Sequence, residues 1–254
     1  MATRIIDLSL PLENFASEPF PPSINYYDHK AGARRLARLA NVDPSDFPLG
    51  LGLASEQVTA TTHSGTHVDA PYHYGPQADG KPALTIDAIP LEWCYGNGVR
   101  LDMRHKEPGS EITVKDIEQA LDKMSYTLVE GDIPLLQTGA DKHWGCARYV
   151  DMHSGLGYHG TMWFLNRGVK CIGIDAWGLD RPVKKMAEAI KGTGDKRELW
   201  ASHFCGREKA YLQIEKMANL DKIPMDHGFR ICAFPTSIDK ASAGWCRAVA
   251  IVEI

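Results

Sequence analysis

Eleven residues, His63-Ser64-Gly65-Thr66-His67-Val68-Asp69-Ala70-Pro71-Tyr72-His73, limit most sharply what this chain can fold into, because they hold three histidines and an aspartate. Ten histidines spread evenly over 254 residues would put about 0.4 in such a window, so the cluster needs a cause. Imidazole nitrogens and carboxylate oxygens are the donors that Zn²⁺ and similar divalent ions take. The preceding Gln57–Thr62 run is rich in β-branched residues and reads as a strand. The fold is therefore expected to deliver the cluster to a strand end, where Gly65 lets the backbone bend and Pro71 stiffens the exit. In extended chain His67 and Asp69 point to the same side, and Gly65 can fold His63 back to join them. His73, beyond the proline, can sit nearby as a free acid or base. Two other readings of these residues are a His-rich surface loop without metal and a structural site closed by four protein ligands.

At 254 residues the chain can bury a large core without staples. Hydrophobic content of 44% and charged content of 24% are those of an ordinary globular protein. A net charge of −4 gives no electrostatic case for nucleic acid or an anionic membrane surface as partner. The six cysteines, Cys94, Cys146, Cys171, Cys205, Cys232 and Cys246, form no CxxC pair. They read as buried free thiols in a reducing cytosol. Met1–Asp7 carries no long apolar run after its charge and no stretch reaches membrane-spanning length, so a cytoplasmic location is expected.

Strands are expected over Arg4–Leu10, Asn97–Met103, Ile133–Gln137, Val169–Asp175, Phe229–Phe234 and Arg247–Ile254. Helices are expected over His29–Ala40, from Thr113 through Met124, over Tyr158–Asn166 before Gly168, and from Asp180 and Pro182 to Gly192. Thr113-Val114-Lys115-Asp116 resembles a capping box, and Val114, Ile117, Leu121 and Met124 share one face. The basic His29–Ala40 helix reads as a solvated face rather than a binding surface. Asn14–Pro22, Asn41–Gly52 and Gly75–Pro82 read as loops. Strands and helices interleave without a clean βαβ period, repeat or linker. One α/β domain over residues 1–254, a mixed β-sheet flanked by helices, is expected.

No phosphate loop, Rossmann fingerprint or Gly-x-Ser-x-Gly elbow is present in the sequence. His203 follows Trp200-Ala201-Ser202, and Glu215 ends the largely apolar Ala210–Glu215 run. A carboxylate there is costly unless it is paired or holds a cation, so a salt bridge, a surface position and a metal ligand all stay open.

Residues 63–73 resemble the His-x-Gly-Thr-His-x-Asp-x-Pro-x-His signature of the metal-dependent cyclase family, whose members include bacterial kynurenine formamidases, isatin hydrolases and trans-dienelactone hydrolases. Every fixed position of that pattern is present. The likeness extends to Asp7-Leu8-Ser9, Gln137-Thr138-Gly139, Gly173-Ile174-Asp175 with Asp180, Glu215–Leu220 with Asp221, and a closing strand over 244–251 with Arg247. It implies a cyclase-type fold of the swivelling β/β/α kind. It also implies a catalytic metal on His63, His67 and Asp69, with His73 as acid/base. In dinuclear members the positions matching His203 and Glu215 complete a second site, with that of Asp69 bridging, so Glu215 tilts the expectation towards two ions. Departures are Lys216 for a usual Asn, Gly178 for a usual Ser, and Trp245-Cys246 for a common Ser-Pro. Extra sequence around Pro21–Gly52 and Pro182–Leu199 is a candidate for lining the substrate pocket.

The implied activity is metal-dependent hydrolysis of a small amide, cyclic amide or lactone, arylformamidase-like. A divalent ion lowers the pKa of bound water to roughly 7 and so supplies hydroxide, while a histidine near 6.5 moves the proton. Zn²⁺ and Mn²⁺ both suit a thiolate-free donor set. The competing reading is a non-catalytic protein that holds a small carboxylate on its metal. A small-molecule substrate is the expected partner, with a homodimer or homotetramer implied by the resemblance.

Overall fold

The apolar runs pair into strands whose order, rather than whose sequence spacing, builds the site. The structure, a computed structural model, describes residues 2–14 and 17–253. Its strands of three residues or more are β1 (Thr3–Asp7), β2 (Ser23–Tyr27), β3 (Ser55–Thr59), β4 (His67–Asp69), β5 (Tyr95–Asp102), β6 (Asp132–Gln137), β7 (Cys171–Ile174), β8 (Leu212–Glu215), β9 (Phe229–Cys232), β10 (Ala243–Trp245) and β11 (Val249–Glu253). Nine of them form one mixed sheet in the order β1-β11-β9-β5-β6-β7-β8-β4-β10, and β2 pairs only with β3. The central β5, β6, β7 and β8 are parallel. Every other neighbouring pair is antiparallel.

Parallel neighbours need long crossovers, and helices supply them. Among α1 (His29–Ala40), α2 (Pro71–Tyr74), α3 (Val114–Lys123), α4 (Tyr158–Leu165), α5 (Val183–Thr193) and α6 (Ala201–Glu208), α3 joins β5 to β6, α4 joins β6 to β7, and α5 with α6 joins β7 to β8. The capping box is real: Thr113 Oγ1 accepts from Asp116 N at 3.3 Å and Asp116 Oδ2 accepts from Thr113 N at 2.8 Å. It starts α3 so that Ile117 and Leu121 face the sheet, where Val99, Leu101, Leu136 and Phe164 complete one core layer. Val68, Leu135, Ile214 and Ile231 lie in the layer on the other side. Each such fully buried aliphatic side chain contributes about 1.5–3 kcal/mol.

Several expectations need correction. The Gln57–Thr62 strand does not deliver the histidine cluster to the main sheet. Its strand is Ser55–Thr59, paired with Ser23–Tyr27 in an exposed ribbon, and the cluster supplies its own sheet strand at His67–Asp69. A run of β-branched residues cannot tell a separate ribbon from a sheet strand, because both favour the same side chains. The closing strand expected over 244–251 is two strands at different places: β10 lies at the sheet edge beside β4, while β11 pairs with β1 and β9. The loop expected over Gly75–Pro82 holds a small hairpin, Gln77–Ala78 with Lys81–Pro82. Cys146 is exposed rather than buried, although all six thiols are free. The Asn14–Pro22 loop contains Phe15 and Ala16, and the last strand was expected to reach Ile254; these three lie outside the described residues. No helix among the described residues is long and apolar enough to cross a membrane.

One buried histidine links this framework to pH. His153 is 2% exposed, its Nε2 lies 3.1 Å from the Asp180 carbonyl, and burial pushes its pKa down to about 4. An unfolded histidine titrates near 6.5, so between those values the unfolded chain binds the extra proton. Stability is thus full above pH 6.5 and falls as pH drops towards 4, by about 3 kcal/mol at most from this group. His153→Gln should flatten the melting-temperature profile over that window, and a profile as steep as the wild type's contradicts the assignment.

Candidate metal centre

β4 lies between β8 and β10, and its pleat decides which side chains meet. Val68 enters one core layer, while His67 and Asp69 turn to the opposite face with no solvent exposure. Antiparallel register sets His67 across from Glu215 and Asp69 across from Gln213, so Glu215 reaches the same face as His67. Gly65, at φ +59°, makes the turn that brings His63 back, and its Nδ1 stops 2.8 Å from Asp69 Oδ1. Pro71 opens the single turn of α2, which carries His73 to the exposed rim. There its ring centre is 4.1 Å from that of His63 and 5.3 Å from that of His203.

His203 arrives on α6. Its Nε2 is 3.8 Å from Asp69 Oδ2 and 3.7 Å from Glu215 Oε1, and His67 Nε2 is 3.2 Å from Asp69 Oδ1 and 3.7 Å from Glu215 Oε2. The structure thus brings His63, His67, Asp69, His203 and Glu215 together around one point, with His73 above them. Two triads have donors within 4.8 Å of one another: His67, Asp69 and Glu215, and His63, Asp69 and His73. His63 and His67 both converge on Asp69 Oδ1, as the sequence leads one to expect, and His73 also lies close enough to share a donor set. Asp69 belongs to both triads.

Outer hydrogen bonds fix which nitrogen each imidazole presents. His67 Nδ1 meets the Gly65 carbonyl at 2.9 Å, and a carbonyl only accepts, so Nδ1 carries the proton and Nε2 faces inward. His203 Nδ1 meets Asp180 Oδ2 at 2.5 Å. Asp180 also accepts from Ser202 N at 2.7 Å and His203 N at 3.2 Å, an anion seated on the first turn of α6. His63 Nε2 meets Ser242 Oγ at 3.0 Å. Sequence reasoning assigned no role to Asp180, which reads as a helix start, nor to Ser242, which lies in a featureless stretch; only the folded chain brings them to the histidines.

These residues fit a divalent cation. His67 Nε2 and both oxygens of Asp69 are buried, and among the described residues none has an aligned hydrogen-bond partner. A neutral imidazole here turns its lone pair towards two carboxylates, a repulsive arrangement that a cation between them reverses. Burial would raise Asp69, but the His73, His67 and His63 rings hold it well below the usual carboxylate range. Burial raises Glu215, and the Asp69 charge adds to that. For His203, burial opposes the proton, but the Asp180 hydrogen bond and charge push its pKa up to about 9. Desolvation among the rings, reinforced by the His203, His63 and His67 charges and opposed by Asp69, pushes His73 down to about 4 although its outer edge meets solvent.

A cavity of about 470 Å³ opens over the donors. Phe20, Trp177, Trp200 and Phe204 wall it. Of the aromatic residues the sequence suggests, Phe20 is in this wall, while Tyr26, Tyr72 and Trp144 are not among the lining residues. Nor do the extra segments 21–52 and 182–199 supply lining residues; their flanks do, through Phe20 and Trp200. Gly178, at the position where a serine is usual, leaves room beside Glu215: a Cβ there would stand 3.5 Å from Oε1. Arg247 is away from the cavity wall and pairs with Asp7 at 2.7 Å.

A buried His/carboxylate donor set at a strand junction, under an aromatic-walled cavity with a free histidine at its rim, is the constellation of a metal-dependent hydrolase. Residues 6–181, more than half of the chain, match the putative cyclase family, and the chain belongs to that family. Kynurenine formamidase of Erythrobacter litoralis is 26% identical over 198 residues, covering 76% of this chain and 74% of that protein. Kynurenine formamidase of Bacillus cytotoxicus is 22% identical over 98% of this chain and 97% of its own length. In fold, the chain is similar to an isatin hydrolase bound to the product analogue thioisatinate, with a TM-score of 0.74 at 19% identity over 99% of this chain and 93% of that one. Isatin hydrolase A from Ralstonia solanacearum gives 0.74 at 20% identity, covering 99% and 92%.

Two outcomes test the site. Asp180→Asn should weaken metal binding by about 10–100-fold, as loss of a partner that orients a ligand histidine does. Because His203 must give up a proton held to about 9, metal affinity should rise with pH up to that region and proton release should accompany binding. Calorimetry of the metal-free protein in buffers of different ionisation enthalpy reads both effects; pH-independent binding without proton release contradicts this assignment.

Proposed function

We propose that the chain hydrolyses the C–N bond of a small aromatic amide, an arylformamide such as N-formylkynurenine or a cyclic amide such as isatin, with lactones as the ester counterpart. The observation that carries this reading is the convergence of His63, His67, Asp69, His203 and Glu215 beneath His73 at the floor of the aromatic-walled cavity. In it, these five residues hold Zn²⁺ or Mn²⁺, as one ion or as two sharing Asp69. A bound divalent ion supplies Lewis acidity and an acidified water. The residues do the rest. His73, kept neutral by its surroundings, takes a proton from the attacking water and returns one to the leaving nitrogen. Trp177, Trp200, Phe204 and Phe20 seat a flat apolar group and exclude water from the carbonyl. The Kynurenine formamidase relatives support the amide class, while the cavity admits more than one ring system.

The test is a panel of N-formylkynurenine, isatin, cyclic imides and lactones with the metal identified. His73→Ala should keep its metal and lose about 10²–10⁴-fold in kcat, the worth of a general acid/base. His63→Ala and His67→Ala should lose both metal and turnover; retention of both would displace the site. Tight binding without turnover across the panel favours the carboxylate-holding alternative.

A cytoplasmic location belongs to this reading and is supported by the six free thiols. So does self-association as a homodimer or homotetramer. The segment bearing β2, α1 and β3 exposes Tyr26, Leu39, Leu49 and Leu53 by 67%, 84%, 94% and 74%, large apolar side chains that a second copy would cover. Light scattering should give at least twice the 28.1 kDa chain mass, and a monomer at micromolar concentration removes the proposal.

A further inference from the structure

Lys216 stands where the family pattern has a different residue, and its side chain does something the hydrolytic reading leaves unused. It directly follows Glu215, sits at φ +55°, and is 4% exposed. Its Nζ donates to Glu18 Oε2 at 2.5 Å and to the His63 carbonyl at 2.6 Å. Glu18, also 4% exposed, accepts from Gly65 N at 2.8 Å through its other oxygen. The Lys216 carbonyl accepts from Thr66 Oγ1. One buried ion pair therefore joins the segment around Glu18, the turn at His63–Thr66 and the exit of β8. Leaving either partner unpaired in the interior is strongly unfavourable, so the pair fixes geometry even where it adds little net stability.

The tied segment leads to the cavity. Ser17 Oγ accepts from Gly145 N at 3.0 Å, and two residues past Glu18 the Phe20 ring lines the cavity while remaining 73% exposed. Its inner face meets the cavity and its outer face meets solvent. Trp177, Trp200 and Phe204 reach the same cavity from β7 and α6 and the turns beside them. Phe20 is held only as well as residues 17–20 are held.

We propose that the Glu18–Lys216 pair is a positioning latch that fixes Phe20 as the outer wall of the cavity, and that Phe20 thereby selects substrates carrying a flat aromatic ring. The selection rests on the hydrolase reading of the same site; the latch itself does not. Phe20 acts on the substrate directly; Lys216 also reaches the cavity lining, but its Nζ is committed to Glu18 and the His63 carbonyl, so Glu18 and Lys216 act through Phe20.

The experiment compares metal-loaded wild type with Glu18→Gln, Lys216→Met, Lys216→Arg and Phe20→Ala. Hydrogen exchange over residues 10–22 and at Gly65 should quicken by about tenfold in Glu18→Gln and Lys216→Met, stay near wild type in Lys216→Arg, and leave β6 unchanged as the check on folding. Unchanged exchange in both weakened variants overturns the latch. On whichever of N-formylkynurenine or isatin is turned over, Phe20→Ala and Lys216→Met should each raise KM by about tenfold with kcat within about threefold. The double variant should be no worse than either single one, because both changes remove the same wall. Additive effects, or a fall in kcat matching the rise in KM, overturn the role of Phe20 and place Lys216 at the chemical centre through His63. If neither compound is turned over, the hydrolase reading fails on its own. Exchange still decides the latch, and quenching of tryptophan fluorescence by the same compounds replaces KM: equal affinity in wild type and Phe20→Ala overturns the selection.

Discussion

Two carboxylates, Asp69 and Glu215, are buried on the same face of one sheet, and most of what surrounds them answers the cost of that arrangement. Taking two like charges out of water into a common site is among the least favourable things a fold can do. A neutral His67, with Nδ1 committed as a donor to the Gly65 carbonyl, does not solve it, since its inner lone pair adds to the negative potential. A divalent cation solves it, and the outer hydrogen bonds from Gly65, Asp180 and Ser242 make sense as the means of aiming each donor.

The sheet makes this possible by changing direction at the site. β5 to β8 run parallel and are joined by helical crossovers, so their ends are rigid and close together. β4 then enters antiparallel beside β8, and that pairing puts His67 opposite Glu215. A slip of one residue would send Val68 to the site and His67 into an aliphatic layer with Ile214. The core on the far face therefore enforces the register on which the metal donors depend. Asp175 ties the ends of β6 and β7 from the same region, accepting from Thr138 N at 2.7 Å and Gly139 N at 2.8 Å.

Chemistry and selectivity come from different layers. Four of the five candidate donors sit on strands or on one short helix and His63 on the turn before β4, whereas much of the cavity wall is on turns, among them Trp200 at φ +55°. Left-handed backbone at a non-glycine residue persists only where surrounding contacts hold it. Trp200 and Lys216 are both such residues, and both line the cavity. A wall built on turns can change in sequence without disturbing the strands that carry His67, Asp69 and Glu215.

The cluster from His63 to His73 declared its ligand chemistry in the sequence, because a metal site concentrates rare residue types and the turn at Gly65 needs a residue free to take positive φ. The α3 capping box and the crossover helices were legible for the same reason: caps and helical faces are local patterns. Glu215 and His203 stayed ambiguous in the residues alone, since a carboxylate ending an apolar run looks the same paired, exposed or bound. The register of β8 against β4 and the placement of α6 bring both beside Asp69 and His67. Asp180 and Lys216 showed in the sequence only as a match to and a departure from a family pattern, and Ser242 and Glu18 not at all, because all four act across 22 to 198 positions of chain and hydrogen bonds at that separation leave no periodic trace. Ser55–Thr59 misled for the converse reason: a β-branched run suits a sheet strand, yet among the described residues this one pairs only with Ser23–Tyr27. By itself the sequence determined the candidate donors and the class of chemistry they suit, which are properties of side chains. Only the tertiary structure decided which of those candidates lie together and what walls the cavity above them, because those are properties of distance.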